Sequence, residues 1–121
     1  MTVLDASALL AFLHGEEGAD VVEVALGTGA VAGAANWSEV AQKVLANGRD
    51  WDLARALLLS FDLAVVPVTA VDAEAAASRW RPGQDFSLAD RLCLALGNRL
   101  EVEVLTADRA WGSAAGVRQI R

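Results

Sequence analysis

The chain has 121 residues, room for one domain around one apolar core, and 55% hydrophobic against 21% charged residues excludes a disordered chain. No apolar run approaches the roughly twenty residues that cross a bilayer. The formal charge of −6 argues against a loose grip on a phosphate backbone, which depends on cationic surface, but leaves open an acidic site whose local sign divalent cations reverse. In chain order, Thr2 to Leu4 predicts a short strand ending at Asp5. Ser7 to Leu13 predicts a helix stopped near Gly15, and Ala19 to Leu26 a second. Gly27-Thr28-Gly29 lacks the rest of any phosphate-binding loop and is a turn before a small-residue strand, Ala30 to Ala34. Asn36 to Ala46 predicts a helix closed by Asn47-Gly48, and Asp50 caps another through Ser60. Leu63 to Val68, β-branched and apolar, predicts a buried strand, followed by a helix from Val71 to Arg81 that Pro82-Gly83 stops. Leu88 to Arg99 predicts an apolar helix, Val102 to Leu105 a strand, Asp108 to Trp111 a helical turn, and Val117 to Ile120 a last edge strand.

Strands that alternate with helices and read as unbroken apolar runs predict an α/β fold, a parallel sheet covered on both faces, in a single domain over residues 1–121. Met1 leads into Val3-Leu4-Asp5 without a basic leader, and the lone Cys93 has no internal disulfide partner; both fit a reducing cytoplasm.

Four acidic residues occupy one kind of position. Asp5 ends the first strand, Asp108 follows the strand Val102 to Leu105, and Glu39 and Asp90 fall in the first turns of their helices. In an open parallel sheet, strand ends and the following helix starts crowd one edge, where ligands bind. Carboxylates gathered there repel one another, and a divalent cation removes that conflict. Hard oxygen donors with no His or Cys beside them suit Mg or Mn rather than Zn. The plainer reading is capping. Asn36-Trp37-Ser38-Glu39 and Ser87-Leu88-Ala89-Asp90 have the capping-box form, and so does Thr69-Ala70-Val71-Asp72, where no site is expected. Asp5 stands apart, because a charge directly ending a buried strand is awkward unless something pairs with it.

Val3-Leu4-Asp5-Ala6-Ser7-Ala8-Leu9 resembles the opening of PIN-domain proteins, an apolar strand followed by Asp, any residue and Ser. Asn36 to Val40 resembles their second acidic motif, Ser87 to Asp90 with the apolar Leu92 to Ala95 the third, and Leu105 to Trp111 the fourth. Size and motif style are similar to the VapC-type toxins of bacterial toxin–antitoxin pairs. The resemblance implies a parallel sheet of four to five strands in the order 3-2-1-4-5, flanked by helices in three layers. That order brings Asp5, Glu39, Asp90 and Asp108 into one crevice and leaves Asp72 towards the sheet edge. It implies one or two Mg2+ or Mn2+ ions held by Asp5 and Asp90, with Glu39 and Asp108 acting directly or through water. Ser7 and Thr106 match polar positions that orient the carboxylates; for Ser7 an equal alternative is that it caps the first helix. Arg91 and Arg109 flank the acids, either as holders of phosphate oxygens or as plain solvated charges. The implied activity is hydrolysis of RNA phosphodiester bonds, with a cognate protein antitoxin that puts a basic side chain into the crevice. A homodimer is implied as well, and Ala19, Val22, Val24, Ala25 and Leu26 offer part of a surface for it.

Cys93 reads as core filling, and Trp37 and Trp111 as core in preference to platforms for RNA bases. A receiver domain needs a Lys after a late strand, but Lys43, the only one, lies in a helix. A haloacid-dehalogenase-like phosphatase needs a second Asp at position 7, which is Ser. Two alternatives stay open: a PIN-like protein-binding module without turnover, and a PIN nuclease of RNA processing without an antitoxin.

Overall fold

The computed structural model describes residues 1–121. Five strands, β1 (Thr2–Leu4), β2 (Ala30–Gly33), β3 (Leu63–Val66), β4 (Val104–Thr106) and β5 (Val117–Gln119), form one sheet in the order β3-β2-β1-β4-β5. Every pairing is parallel, so each connection crosses over the sheet. The crossovers carry α1 (Ala6–His14), α2 (Ala19–Thr28), α3 (Ala34–Ala46), α4 (Trp51–Leu59), α5 (Ala70–Ser78) and α6 (Leu88–Leu100). A single 3-10 turn, Arg109–Trp111, follows β4. This is the covered parallel α/β sheet expected from the residues, in the strand order that the resemblance implied.

The short strands are apolar throughout because both sheet faces are covered. Leu4 packs with Leu9, Val22, Leu26, Val40 and Leu58 from α1 to α4 on one face. Val3 and Val104 pack with Cys93, Leu96 and Trp111 on the other, under α6. Gly97 lets α6 lie close to β4, since a Cβ there would overlap the Val104 side chain.

Tertiary context moves several boundaries and faces. The helix expected from Asn36 starts at Ala34, because Gly33, with extended backbone, is its N-cap. Leu63 to Val68 is not a fully buried strand: β3 ends at Val66 before Pro67, lies at the sheet edge and leaves Ala64 exposed. The Val71 to Arg81 helix ends at Ser78, well before Pro82. β4 sits later than expected and includes Thr106, fully buried. The apolar residues of α2 do not form an outer surface: Val22, Ala25 and Leu26 are core, and only Val24 faces out. That removes the dimer surface expected there. No helix is long and apolar enough to cross a membrane.

Two glycine substitutions test the packing with opposite signs. Gly97→Ala is expected to destabilise on the order of 1–3 kcal/mol through overpacking against Val104. Gly27→Ala, in a helix with open space around it, is expected to stabilise by about 0.5 kcal/mol through a smaller unfolded-state entropy. Thermal or denaturant unfolding of the two variants reads both.

Candidate active site

β1 is the middle strand, with β2 on one side and β4 on the other, so the chain reverses its direction of winding there. The crevice above the C-terminal ends of these three strands is where an open parallel sheet presents ligand-binding groups. Asp5 directly follows β1 at this edge of the sheet and is only 3% exposed. It is also the N-cap of α1: Oδ1 accepts from the Ala8 amide at 2.8 Å. The same oxygen accepts from Ser7 Oγ at 2.7 Å, and Oδ2 accepts from Thr106 Oγ1.

Proton counting fixes the direction of this network. Ser7 and Thr106 own one hydroxyl proton each, and an ionised Asp5 takes both. The hydroxyl oxygens are then acceptors, Ser7 Oγ from the Ala107 amide at 2.9 Å and Thr106 Oγ1 from the Asp108 amide at 3.0 Å. Backbone dipoles just past β4 are thereby relayed through two hydroxyls to one carboxylate. Ser7 does not cap α1, since Asp5 does; its hydroxyl donates to that acid instead.

Burial pushes the Asp5 carboxyl up to about 6, against the lowering effect of the Thr106, Ala8 and Ser7 hydrogen bonds, and the nearby Asp90 charge adds to the rise. Glu39, half-buried in the second turn of α3, is also raised, by burial and then by Asp90, while Asn36 and Lys43 pull the other way. The buried Cys93 thiol is raised well above its usual range, first by burial and then by Asp5, Asp90 and Glu39. The charges of all three carboxylates act in the same direction as burial on this one core thiol.

Capping accounts for these acids only in part. Asp90 completes a capping box with Ser87: its amide donates to Ser87 Oγ at 3.1 Å and its Oδ2 accepts from the Ser87 amide at 3.0 Å. Glu39 caps nothing, because α3 begins at Ala34, five residues before it. Asp108 caps the 3-10 turn through the Ala110 amide at 2.9 Å, is exposed, and is joined to Asp5 only by way of Thr106. Asp72 departs from its capping role: Thr69 Oγ1 accepts from its amide, but its buried carboxylate takes both arms of Arg99, at 2.8 and 3.0 Å. That hydrogen-bonded pairing lowers the Asp72 carboxyl below its ordinary range.

Of the two candidate phosphate holders, Arg91 turns away: Nη1 donates to the Ala76 carbonyl at 2.9 Å and ties α6 to α5. Arg109 stays exposed beside Asp108. Trp37 stacks edge-on to Trp51, centroids 5.2 Å apart, and Trp111 is buried against Phe86, so both are packing residues. Asn36, read from the sequence as the cap of a capping box, is not the N-cap, which is Gly33; it is buried between Glu39 and the start of α6. Its signal was the Asn three residues ahead of Glu39, on the same helix face.

The donors in the crevice are carboxylate oxygens, the set a hard divalent cation takes. No three acidic, His or Cys side chains are placed close enough together to enclose one ion. In donor type alone, the carboxylates of Asp5, Glu39 and Asp90 suit such a cation.

A family model described as PIN domain matches residues 2–117. The chain belongs to the PIN domain family. Curated protein sequences include no significant match. Solved structures share the fold at low identity. A toxin–antitoxin complex from Klebsiella pneumoniae has a TM-score of 0.82 at 17% identity, covering 100% of this chain and 98% of that one. Mycobacterium tuberculosis VapC20, described as a Sarcin-Ricin loop cleaving toxin, has 0.72 at 16%, covering 95% of each. VapBC2 from Rickettsia felis, bound to a DNA fragment from its promoter, has 0.70 at 11%, covering 98% and 97%.

The Asp5 carboxyl makes this PIN domain pH-sensitive. Unfolded it titrates near its ordinary 3.8 and folded near 6, so between those values the native state binds the extra proton and stability falls as pH rises. The metal-free chain is expected to lose roughly 2 kcal/mol between pH 4 and pH 7 from this group. Asp72 has the opposite sign, its contribution being lost as pH falls below about 4, so the two windows separate. Unfolding free energies of wild type and Asp5→Asn across that range, in EDTA, check it; equal pH slopes would refute the assignment.

Proposed function

We propose that this chain is a divalent-metal-dependent ribonuclease, the toxin of a type II toxin–antitoxin pair, using Mg2+ or Mn2+. The observation that carries the reading is Asp5: a carboxylate buried at the end of the central strand, beside Asp90, in a fold that would be more stable without its charge. A module kept only for protein binding gains nothing from that destabilisation. A metal ligand does, since a cation restores the missing solvation and removes the repulsion.

In this reading Asp5 and Asp90 hold the ion, Glu39 completes the site from α3, and Asp108 acts from the rim, directly or through water. Ser7 and Thr106 keep the Asp5 carboxylate in one orientation, with both hydroxyl protons on it. The bound cation supplies Lewis acidity towards the phosphodiester and the attacking water. Water would add to phosphorus as the bond to the leaving oxygen breaks, the water's proton passing to solvent and the leaving oxygen taking one from it, with no protein nucleophile. Arg109, exposed beside Asp108, is the remaining cation for a phosphate oxygen, Arg91 being engaged with α5.

The fold relatives support the toxin assignment, because two are toxin–antitoxin assemblies and a third is a Sarcin-Ricin loop cleaving toxin. A protein antitoxin with a basic side chain suits a crevice of three acids in a chain of formal charge −6.

The test is RNA cleavage with Mg2+. Asp5→Asn and Asp90→Asn are each expected to lose at least about a hundredfold in rate, and EDTA to abolish cleavage. Cleavage by Asp5→Asn at the wild-type rate would sink the proposal. Added Mn2+ is expected to raise the melting temperature with the logarithm of its concentration in wild type and not in Asp5→Asn.

A further inference from the structure

Asn36 is 1% exposed, one of the few polar side chains in the core. It lies in the first turn of α3, and a buried amide costs stability unless its hydrogens find acceptors. Its Nδ2 has two acceptors, each at 3.4 Å: Glu39 Oε1 on the same helix face and the Ala89 carbonyl of α6, the residue before Asp90. Both bonds are long, and the amide's two hydrogens serve one each. Room for the group comes from Gly33, whose missing Cβ would lie 3.3 Å from Asn36 Oδ1.

We infer that Asn36 is a positioning residue that spans α3 and α6, holding the Glu39 carboxylate and the Ala89–Asp90 segment at a set spacing so that both acids serve one metal ion. The inference rests on the metal-nuclease reading. A neutral donor suits this role because it satisfies two negative poles without adding a positive charge. A Lys or Arg here would neutralise Glu39 and compete with the cation. An apolar residue would fill the volume and leave Glu39 free to choose other rotamers.

The experiment measures Mn2+ affinity by calorimetry, without RNA, for wild type, Asn36→Leu and Asn36→Ala, each in the wild-type and Glu39→Gln backgrounds. Leu keeps volume and Ala does not, but both remove the donor. Each is expected to weaken Mn2+ binding about tenfold in the wild-type background and less than about twofold with Glu39→Gln, because the interaction through Glu39 is then already lost. RNA turnover is expected to show a lower kcat with KM for RNA unchanged. Equal weakening in both backgrounds, no weakening, or failure of both Asn36 variants to fold without metal would each overturn the proposal and leave Asn36 as packing. Saturable Mn2+ binding by wild type separates that result from failure of the nuclease reading, which absence of any binding would bring down together with this inference.

Discussion

The carboxylate of Asp5 sits where water does not reach, at the end of the strand every other strand is built around. Two hydroxyls and one backbone amide hold it in place. They do not solvate it fully, since its carboxyl still titrates near 6. The arrangement joins three parts of the chain: α1 begins on it, β4 reaches it through Thr106, and the segment past β4 is tied to it through Ser7 and Thr106. The fold thus keeps a destabilised charge in a buried position, 3% exposed.

Helix capping and site chemistry are commonly weighed as rival explanations of an acidic residue, but capping does not use up these side chains and the two are compatible here. Asp5 caps α1 and Asp90 closes a capping box on α6. Capping fixes the rotamer of each acid with backbone donors that cannot wander, so a side chain becomes a rigid donor arm. Glu39 lacks a cap and stands in the second turn of its helix; its orientation comes instead from the amide of Asn36.

The outer helices are held by a different use of charge. Asp72 on α5 grips Arg99 on α6 with two hydrogen bonds, and Arg91 reaches back to the Ala76 carbonyl. α5 therefore braces the helix that carries Asp90 rather than the sheet itself. Two of the chain's ten basic residues are used in this bracing.

Much of this was legible in the residues because it is local. Unbroken apolar strands separated by helical stretches dictate a covered parallel sheet, and Asp5, Glu39, Asp90 and Asp108 stand in an order and spacing that similarity alone can read. Ser87 with Asp90, and Asp50 before α4, declare their caps within four residues. What escaped the sequence is whatever depends on a distant partner. Asp72 looks like a cap until the fold supplies Arg99, 27 residues on. The start of α3 at Ala34 follows from where β2 ends against β1 and β3, and the apolar stripe of α2 carries no mark of whether core or solvent faces it. Local propensity is written in neighbouring side chains, but burial, pairing and the convergence of anions exist only once separate segments share a space, and that belongs to the tertiary structure.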